Sequence, residues 1–540
     1  MIDPFRSRSA VLCAGGVVAS SQPLATAVGT GVLDGGGNAV DACIAAAAAL
    51  GVTEPCSTGI GGDCFALVFE ASTGEIHGIN GSGRSPAGLS LERAQAQAVG
   101  GRIPALHALT VTVPGACAAW FDLSARFGTL SMSELLAPAT DLAAGGFAVA
   151  PVTAHFWAEG VHHQLSRDPG GEGLLINGRA PEAGERFVNS GLARTYREIA
   201  AGGAEAFYEG PVAQAIVEVV RAHGGVLARS DLRSHRSSWV DPISVVYRGA
   251  RVWECPPNGQ GLAALMALNI LSGFDLSSMD PLGPQRLHIE IEAMRLAFAD
   301  ARWYISDPAH HQIPIEGLLS REHADRRRAL IDPSRANLDA TRGVPMSSSD
   351  TVYLCAVDRL GNACSFIGSN YMGFGTGLVP RGWGFTLQNR GAGFCLERGH
   401  PNIVAPKKRP YHTIIPGMLT RESDGSLMGP FGVMGGFMQP QGHVQVVTAL
   451  MDDGLDPQAA LDRPRFCIED GRAGGRVGLE VGIDGQTLRS LAHLGHPVYP
   501  VSGWARHLFG RGQVIQRRGD GFWWAGSDHR ADGCAMMAMG

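Results

Sequence analysis

Two strand-like runs just after residue 350 constrain this chain more than any other feature. TVYLCAV and ACSFIGS, separated by the turn DRLGN, read as a β-hairpin whose strands are mostly buried. Strands that lack a polar face need cover on both sides, so a single open sheet does not suffice. Further strand-like runs follow in TIIPGML, LMGPFGVM and GRVGLEV. An earlier hairpin is spelled by CFALVFE, a turn at Ser72-Thr73-Gly74, and EIHGIN. The apolar run near the N-terminus reads as a first buried strand. Residues 20–50 read as two helices. Ser20 or Ser21 is expected to cap the first, with Pro23 in its opening turn and Gly35 to Gly37 ending it. Asn38 or Asp41 starts the second, which is alanine-rich and internal. Residues 130–235 and 282–303 carry amphipathic helical runs. No linker rich in Pro, Ser or charge divides the chain. The order of elements predicts one layered α+β or α/β core, with stacked sheets inside and helices outside.

Composition narrows the function classes. The 540 residues are 45% hydrophobic and 17% charged, which supports a large core and excludes disorder. A net charge of -6 excludes a generally basic nucleic-acid binder and gives no reason to expect an anionic membrane surface as partner. No uninterrupted apolar run reaches the roughly 18 residues of a membrane-spanning helix. A soluble, cytoplasmic protein is the expectation. The 11 cysteines are odd in number and contain no Cys-x-x-Cys pair, so buried reduced thiols are expected rather than a disulfide framework.

Several common motifs fail. Gly29-Thr30-Gly31-Val32-Leu33-Asp34 has aspartate where a dinucleotide fingerprint needs glycine, and no P-loop occurs. Gly83-Arg84-Ser85-Pro86-Ala87 lacks the last glycine of a nucleophile elbow. His288 and Glu292 lie one helical turn apart and read as a structural pair. Neither a metal nor a cofactor is expected.

The motifs that remain resemble the γ-glutamyltransferase family of N-terminal-nucleophile hydrolases. VASSQPLATAVGTGVLDGGGNAVDACIAAAAALGVTEPCSTGIGGDCFALVF is similar to the family's opening, and HIEIEAMRLAFADARWYISDP to its central helix. DTVYLCAVDRLGNACSF is similar to the start of its small subunit, and KKRPYHTIIPGM and GVMGGFMQPQGHVQVV to its later active-site loops. The resemblance implies a four-layer αββα sandwich of α+β class. It implies self-cleavage between Asp350 and Thr351 into a large subunit, 1–350, and a small subunit, 351–540, that stay together as a heterodimer around one core; further dimerisation is left open. Thr351 is then both nucleophile and, through its freed α-amine, general base. That amine has a pKa of about 7.7–8 in a model peptide, suited to accepting the hydroxyl proton near neutral pH. Gly435 and Gly436 resemble the oxyanion-hole glycines, where a Cβ would obstruct the approach of backbone N–H groups. Ser369 matches a family hydroxyl residue beside the nucleophile.

Departures from the family gather at amino-acid recognition. Ser82 stands where relatives carry the carboxylate-binding arginine, and Gly393 where they carry an acid for the substrate amine. Tyr371 replaces an asparagine, with Asn370 adjacent, and His412 and Thr413 replace paired serines. The stretch from Phe394 to Lys407 is short, so a covering lid is expected to be missing. Arg390 and Arg84 are new cations in these motifs. Arginine without a nearby acid favours a small substrate amide with a carboxylate and no amine, as in the oxamate amidohydrolase branch or a cephalosporin-acylase-like relative. A true γ-glutamyl hydrolase or transpeptidase is the alternative, and a non-catalytic member the third.

Overall fold

Along the strand Asp350–Val357 the side chains alternate between two cores. Tyr353, Cys355 and Val357 pack with Phe65, Leu67, Ile367, Met418 and Ile515 in one apolar cluster. Val352, Leu354 and Ala356 pack with helical residues such as Ile44, Ala48 and Leu136 in another. A third cluster joins Phe431, Val433 and Val514 to the helices around Leu265, Leu296 and Val444. Period-two alternation along strands, with both faces apolar, forces this arrangement. The computed structural model describes residues 7–339, 350–472, 474–519 and 521–539. It has four layers: helices, a seven-stranded sheet, a second seven-stranded sheet, and helices. The αββα expectation is met.

The sheet that carries the site runs, in spatial order, Cys534–Met537, Val17–Ser20, Asp350–Val357, Ala363–Tyr371, Asp63–Glu70, Glu75–Asn80 and Ser238–Val240. All its paired strands are antiparallel. The other runs Val11–Cys13, Phe522–Ser527, Arg511–Arg518, Leu427–Met434, Gly417–Arg421, Ala250–Glu254 and Ile243–Tyr247. Both sheets mix strands from before and after residue 350. Gly432 lets the sheets meet: a Cβ there would lie 2.5 Å from the Tyr353 ring.

The alanine-rich helix Ala39–Thr53 is buried along its whole length and packs on the site-bearing sheet, with Cys43 Sγ 3.6 Å from the Cys364 carbonyl. Asn38 and Asp41 form a capping box at its start. The helix before it, Pro23–Asp34, is capped by Gln22 rather than by Ser20 or Ser21. Gln22 Oε1 accepts from Leu24 N at 2.7 Å and Ala25 N at 3.1 Å. Ser20 ends the strand Val17–Ser20, and Ser21 donates to Glu54 at 2.6 Å. Both hairpins and the helices in 130–235 and 284–304 form as expected. TIIPGML departs from expectation. Its strand begins only at Gly417, because residues 413–416 are bonded into the site. All eleven cysteines are free thiols, and all but Cys534 are buried. No helix among the described residues is long and apolar enough to cross a membrane.

Candidate active site

A bulge places Thr351. Asp350 pairs with Tyr371 and Val352 with Gly368, so Ser369 and Asn370 together oppose the single residue Thr351. Bulges re-aim side chains and are frequent beside active sites. Here the Thr351 hydroxyl comes 3.2 Å from Ser369 Oγ, in a fully buried position. Gln439, at the start of the helix Met438–Met451, donates from Nε2 to Thr351 Oγ1 at 3.3 Å. Its Oε1 accepts from Ile415 N at 3.0 Å, which fixes the orientation of the amide.

Ser369 Oγ is a collecting point. It accepts from Tyr371 N at 2.8 Å and from Arg390 Nη2 at 3.1 Å. Arg390 Nη1 donates to Thr413 Oγ1 at 2.7 Å, and its guanidinium lies 4.2 Å from the centre of the Tyr371 ring. Tyr371 holds this place at φ 80°, a conformation that a bulky residue rarely adopts. Burial pulls the Arg390 pKa down to about 10, opposed by the charge of Asp63, so the group stays cationic at neutral pH.

Asp63 and Gln388 complete the cluster. Asp63 Oδ1 accepts from Gly83 N at 2.9 Å, Gly115 N at 3.2 Å and Gln388 Nε2 at 2.9 Å. Its Oδ2 lies 3.0 Å from His412 Nε2. His412 Nδ1 accepts from Ile414 N at 3.3 Å, so Nε2 carries the proton. Burial and the neighbouring Arg390 drop the His412 pKa to about 3, and the ring is neutral. The expectation of arginine without a nearby acid therefore needs correction: an acid is present, but both of its oxygens are already used.

The remaining expected residues divide. Asn370 Nδ2 donates to Thr386 at 3.1 Å, behind the bulge. Gly435 and Gly436 follow the strand Leu427–Met434 with φ of 128° and 60°. Their carbonyls accept from Met438 N at 2.9 Å and Gln439 N at 3.2 Å; Gln260 also donates to Gly436 O at 2.7 Å. Arg84 does not join the cluster; it donates to the Arg236 carbonyl at 3.4 Å. The Asp350 backbone pairs with Tyr371. His288 and Glu292 sit elsewhere, with His496. His288 Nδ1 is 2.7 Å from His496 Nε2, and Glu292 Oε1 is 3.6 Å from Arg295 Nε. The three are close enough to hold a metal ion, but the guanidinium already supplies the positive charge beside the carboxylate.

Two cavities adjoin these loops and share Phe437. One, of about 390 Å³, is lined by Gly435, Met372, Gly373 and Gln164. The other, of about 240 Å³, is lined by Gly393, Phe394, Tyr411, Arg102 and Arg302.

Comparison with known proteins assigns the family. Residues 25–538 match the family model described as gamma-glutamyltranspeptidase. The chain belongs to the gamma-glutamyltranspeptidase family. Among its family relatives is the glutathione hydrolase-like YwrD proenzyme of Bacillus subtilis, 34% identical over 96% of this chain and 98% of that one. The oxamate amidohydrolase proenzyme of Klebsiella pneumoniae is 32% identical over the same shares. The crystal structure of cephalosporin acylase from Bacillus halodurans superposes with a TM-score of 0.92 at 43% identity, covering all of both chains. The protein is thus a gamma-glutamyltranspeptidase-family hydrolase of the N-terminal-nucleophile type, whose relatives are made as proenzymes. Within that family, sequence reasoning missed Asp63, Gln388 and Gln439 as parts of the site. Asp63 and Gln439 lie inside motifs that carry the resemblance, GIGGDCF and GGFMQPQ.

Proposed function

We propose that the chain cleaves itself between Asp350 and Thr351 and then hydrolyses a small amide bearing a carboxylate, oxamate-like compounds among them. The placement of Thr351 Oγ1 between Ser369 and Gln439, with the Arg390 cation one bond behind, carries this reading.

In processing, Thr351 Oγ attacks the Asp350 carbonyl carbon, the C–N bond breaks, and the acyl group passes from nitrogen to oxygen. Water hydrolyses the ester, leaving the Asp350 carboxylate and a free Thr351 α-amine. The amine then takes the hydroxyl proton as Oγ attacks the substrate carbonyl. The Gly435 and Gly436 N–H groups stabilise the tetrahedral oxyanion. The leaving nitrogen takes up the proton, and water releases the acid from the acyl-enzyme. Ser369, polarised by Arg390, and Gln439 hold the Thr351 oxygen in place. Asn370, Tyr371, His412 and Thr413 shape the acyl side, and Arg390 lends it positive charge.

The relatives include an oxamate amidohydrolase, a glutathione hydrolase-like protein and acylases, so a substrate panel is the test. Processed enzyme should turn over carboxylated acyl amides at a higher kcat/KM than a γ-glutamyl anilide. A γ-glutamyl preference of tenfold or more would make this a glutathione-type enzyme instead.

A further inference from the structure

We propose that Gln164 is a positioning residue for the reaction at Thr351: it pins the turn that follows Tyr371 and so keeps that residue in its strained place against Arg390. The inference rests on Thr351 being the nucleophile and adds what holds its surroundings in register across the cleavage site.

Tyr371 needs a restraint. Four non-glycine residues have positive φ among the described residues. Asn177, Arg248 and Lys407 are exposed; Tyr371 alone is buried, at φ 80°. Such a conformation persists only where the surroundings over-determine it. Two groups at the site depend on it. The Tyr371 N–H donates to Ser369 Oγ at 2.8 Å, and its ring carries the Arg390 guanidinium at 4.2 Å. Ser369 Oγ lies 3.2 Å from Thr351 Oγ1 and accepts from Arg390 Nη2 at 3.1 Å. A tyrosine relaxed to negative φ would turn its N–H and its ring away from both.

The turn is Met372-Gly373-Phe374-Gly375, closed by Gly375 N donating to the Met372 carbonyl at 2.7 Å. Gln164 satisfies three of its backbone groups. Nε2 donates to the Met372 and Gly375 carbonyls at 2.6 and 2.7 Å, and Oε1 accepts from Phe374 N at 3.2 Å. Both N–H bonds of the amide are used, which fixes its orientation. Glycine at 373 permits this approach, since a Cβ there would lie 2.7 Å from Gln164 Oε1. Asn389 Oδ1 adds a bond from Met372 N at 3.2 Å, so the turn is held at its first residue by one side chain and along its length by Gln164.

Gln164 is itself held. It follows the helix Pro151–His163 and donates its backbone N–H to the Gly160 carbonyl at 2.9 Å. The Phe374 ring lies where a Cβ at Gly160 would collide with it, and Trp157 meets it edge-on with ring centres 5.8 Å apart. Asp532 caps the start of the helix, accepting from Val152 N and Thr153 N at 2.9 Å each. The helix precedes residue 350, whereas the turn and Asp532 follow it. Cleavage between Asp350 and Thr351 therefore makes Gln164 a large-subunit group acting on a small-subunit turn.

The test places Gln164→Met, which keeps the volume and loses the bonds, in two backgrounds. In the wild type, kcat on acyl amides should fall roughly tenfold or more while KM stays within about threefold. In Tyr371→Gly, where positive φ costs nothing, the same substitution should cost no more than about threefold. A side chain that merely fills space would tolerate Gln164→Met, and one that only glues the subunits would cost the same in both backgrounds; either result overturns the proposal. If Gln164→Met is insoluble, Gln164→Glu takes its place with the same expected losses, since it keeps the acceptor and loses both donors. Should the wild type turn over no amide, the hydrolytic reading fails. In that case, or if Tyr371→Gly is itself inactive, crystal structures of the wild type and the Gln164 variant decide. Tyr371 at negative φ with its ring off Arg390 in the variant supports the positioning role; an unmoved Tyr371 refutes it.

Discussion

Arg390 and Arg102 both act electrostatically on the Tyr371 phenol, yet they occupy opposite kinds of surroundings. Arg390 is fully buried, stacked on that ring and bonded to two hydroxyls next to Thr351. Arg102 is half-buried at a cavity wall and bonded to nothing in the protein through its buried nitrogen. The difference separates two roles for one side chain. Arg390 spends both of its terminal nitrogens on hydroxyls beside Thr351 and supports its neighbours, with only Nε unpartnered; Arg102 stands at the wall of a cavity, outside that cluster. The same contrast holds for Asp63, whose two oxygens are taken, so it positions His412 and two loops rather than a substrate amine.

The largest effect should come from the packed cluster. Thr351→Ala should leave a single full-length chain on a denaturing gel and abolish turnover of every amide. A new N-terminus at another residue, found by mass spectrometry, would move the chemistry away from the bulge and dissolve the contrast between the regions.

Arg390→Gln comes next. It removes two charge-assisted donors and leaves the buried Ser369 and Thr413 hydroxyls short of partners. At about 1.5–3 kcal/mol for such a bond, kcat/KM should fall about a hundredfold. The loss should be similar for carboxylated and neutral acyl amides, since the defect lies behind Thr351. A loss confined to carboxylated substrates would make Arg390 itself the group that reads the carboxylate.

Acid should act on the packed regions before the cavity. His412, His496 and His235 are held near 3 by burial, against about 6.5 when exposed. The unfolded chain binds more protons than the folded one between those values. Their contribution is therefore complete above pH 6.5 and lost as the pH falls toward 3. Glu54 and Glu292 are pushed up to about 7 by burial, so their contribution has the opposite sign, complete below about 4.5 and lost as the pH rises through 7. The two glutamates offset two of the three histidines between pH 4.5 and 6.5, which leaves a slope of about one proton there and of three below it. Denaturant unfolding should show a shallow loss of stability in the first range and a steep one in the second; level stability down to pH 3.5 would mean that these histidines are not neutral in the folded protein.

Much of this was legible in sequence, for local reasons. The two hairpins, the Asn38–Asp41 box and the amphipathic helices are written in period and capping chemistry within a few residues. The threonine and the glycine pair were singled out because their motifs resemble a family. Asp63 was not, because its role depends on His412, 349 residues away, and an aspartate in a glycine-rich loop looks like turn chemistry. The cap was misplaced for a similar reason: Ser20 has the right side chain, but its hydroxyl is 2.6 Å from Thr26 Oγ1 while Gln22 does the capping.

The smallest effect tests the residue between the two regions. Tyr371→Phe keeps a ring at 4.2 Å for Arg390 to stack on, so the cation–π contact survives. The positive φ is as strained for phenylalanine as for tyrosine, so the backbone cost is unchanged. Only the phenol is lost. The variant should lose no more than about threefold in kcat/KM on carboxylated amides, well under the 1.4 kcal/mol that makes a decade. A loss of tenfold or more, confined to carboxylated amides, would mean that the phenol contacts the substrate carboxylate itself. Tyr371 would then read the acyl group rather than merely hold Arg390 in place.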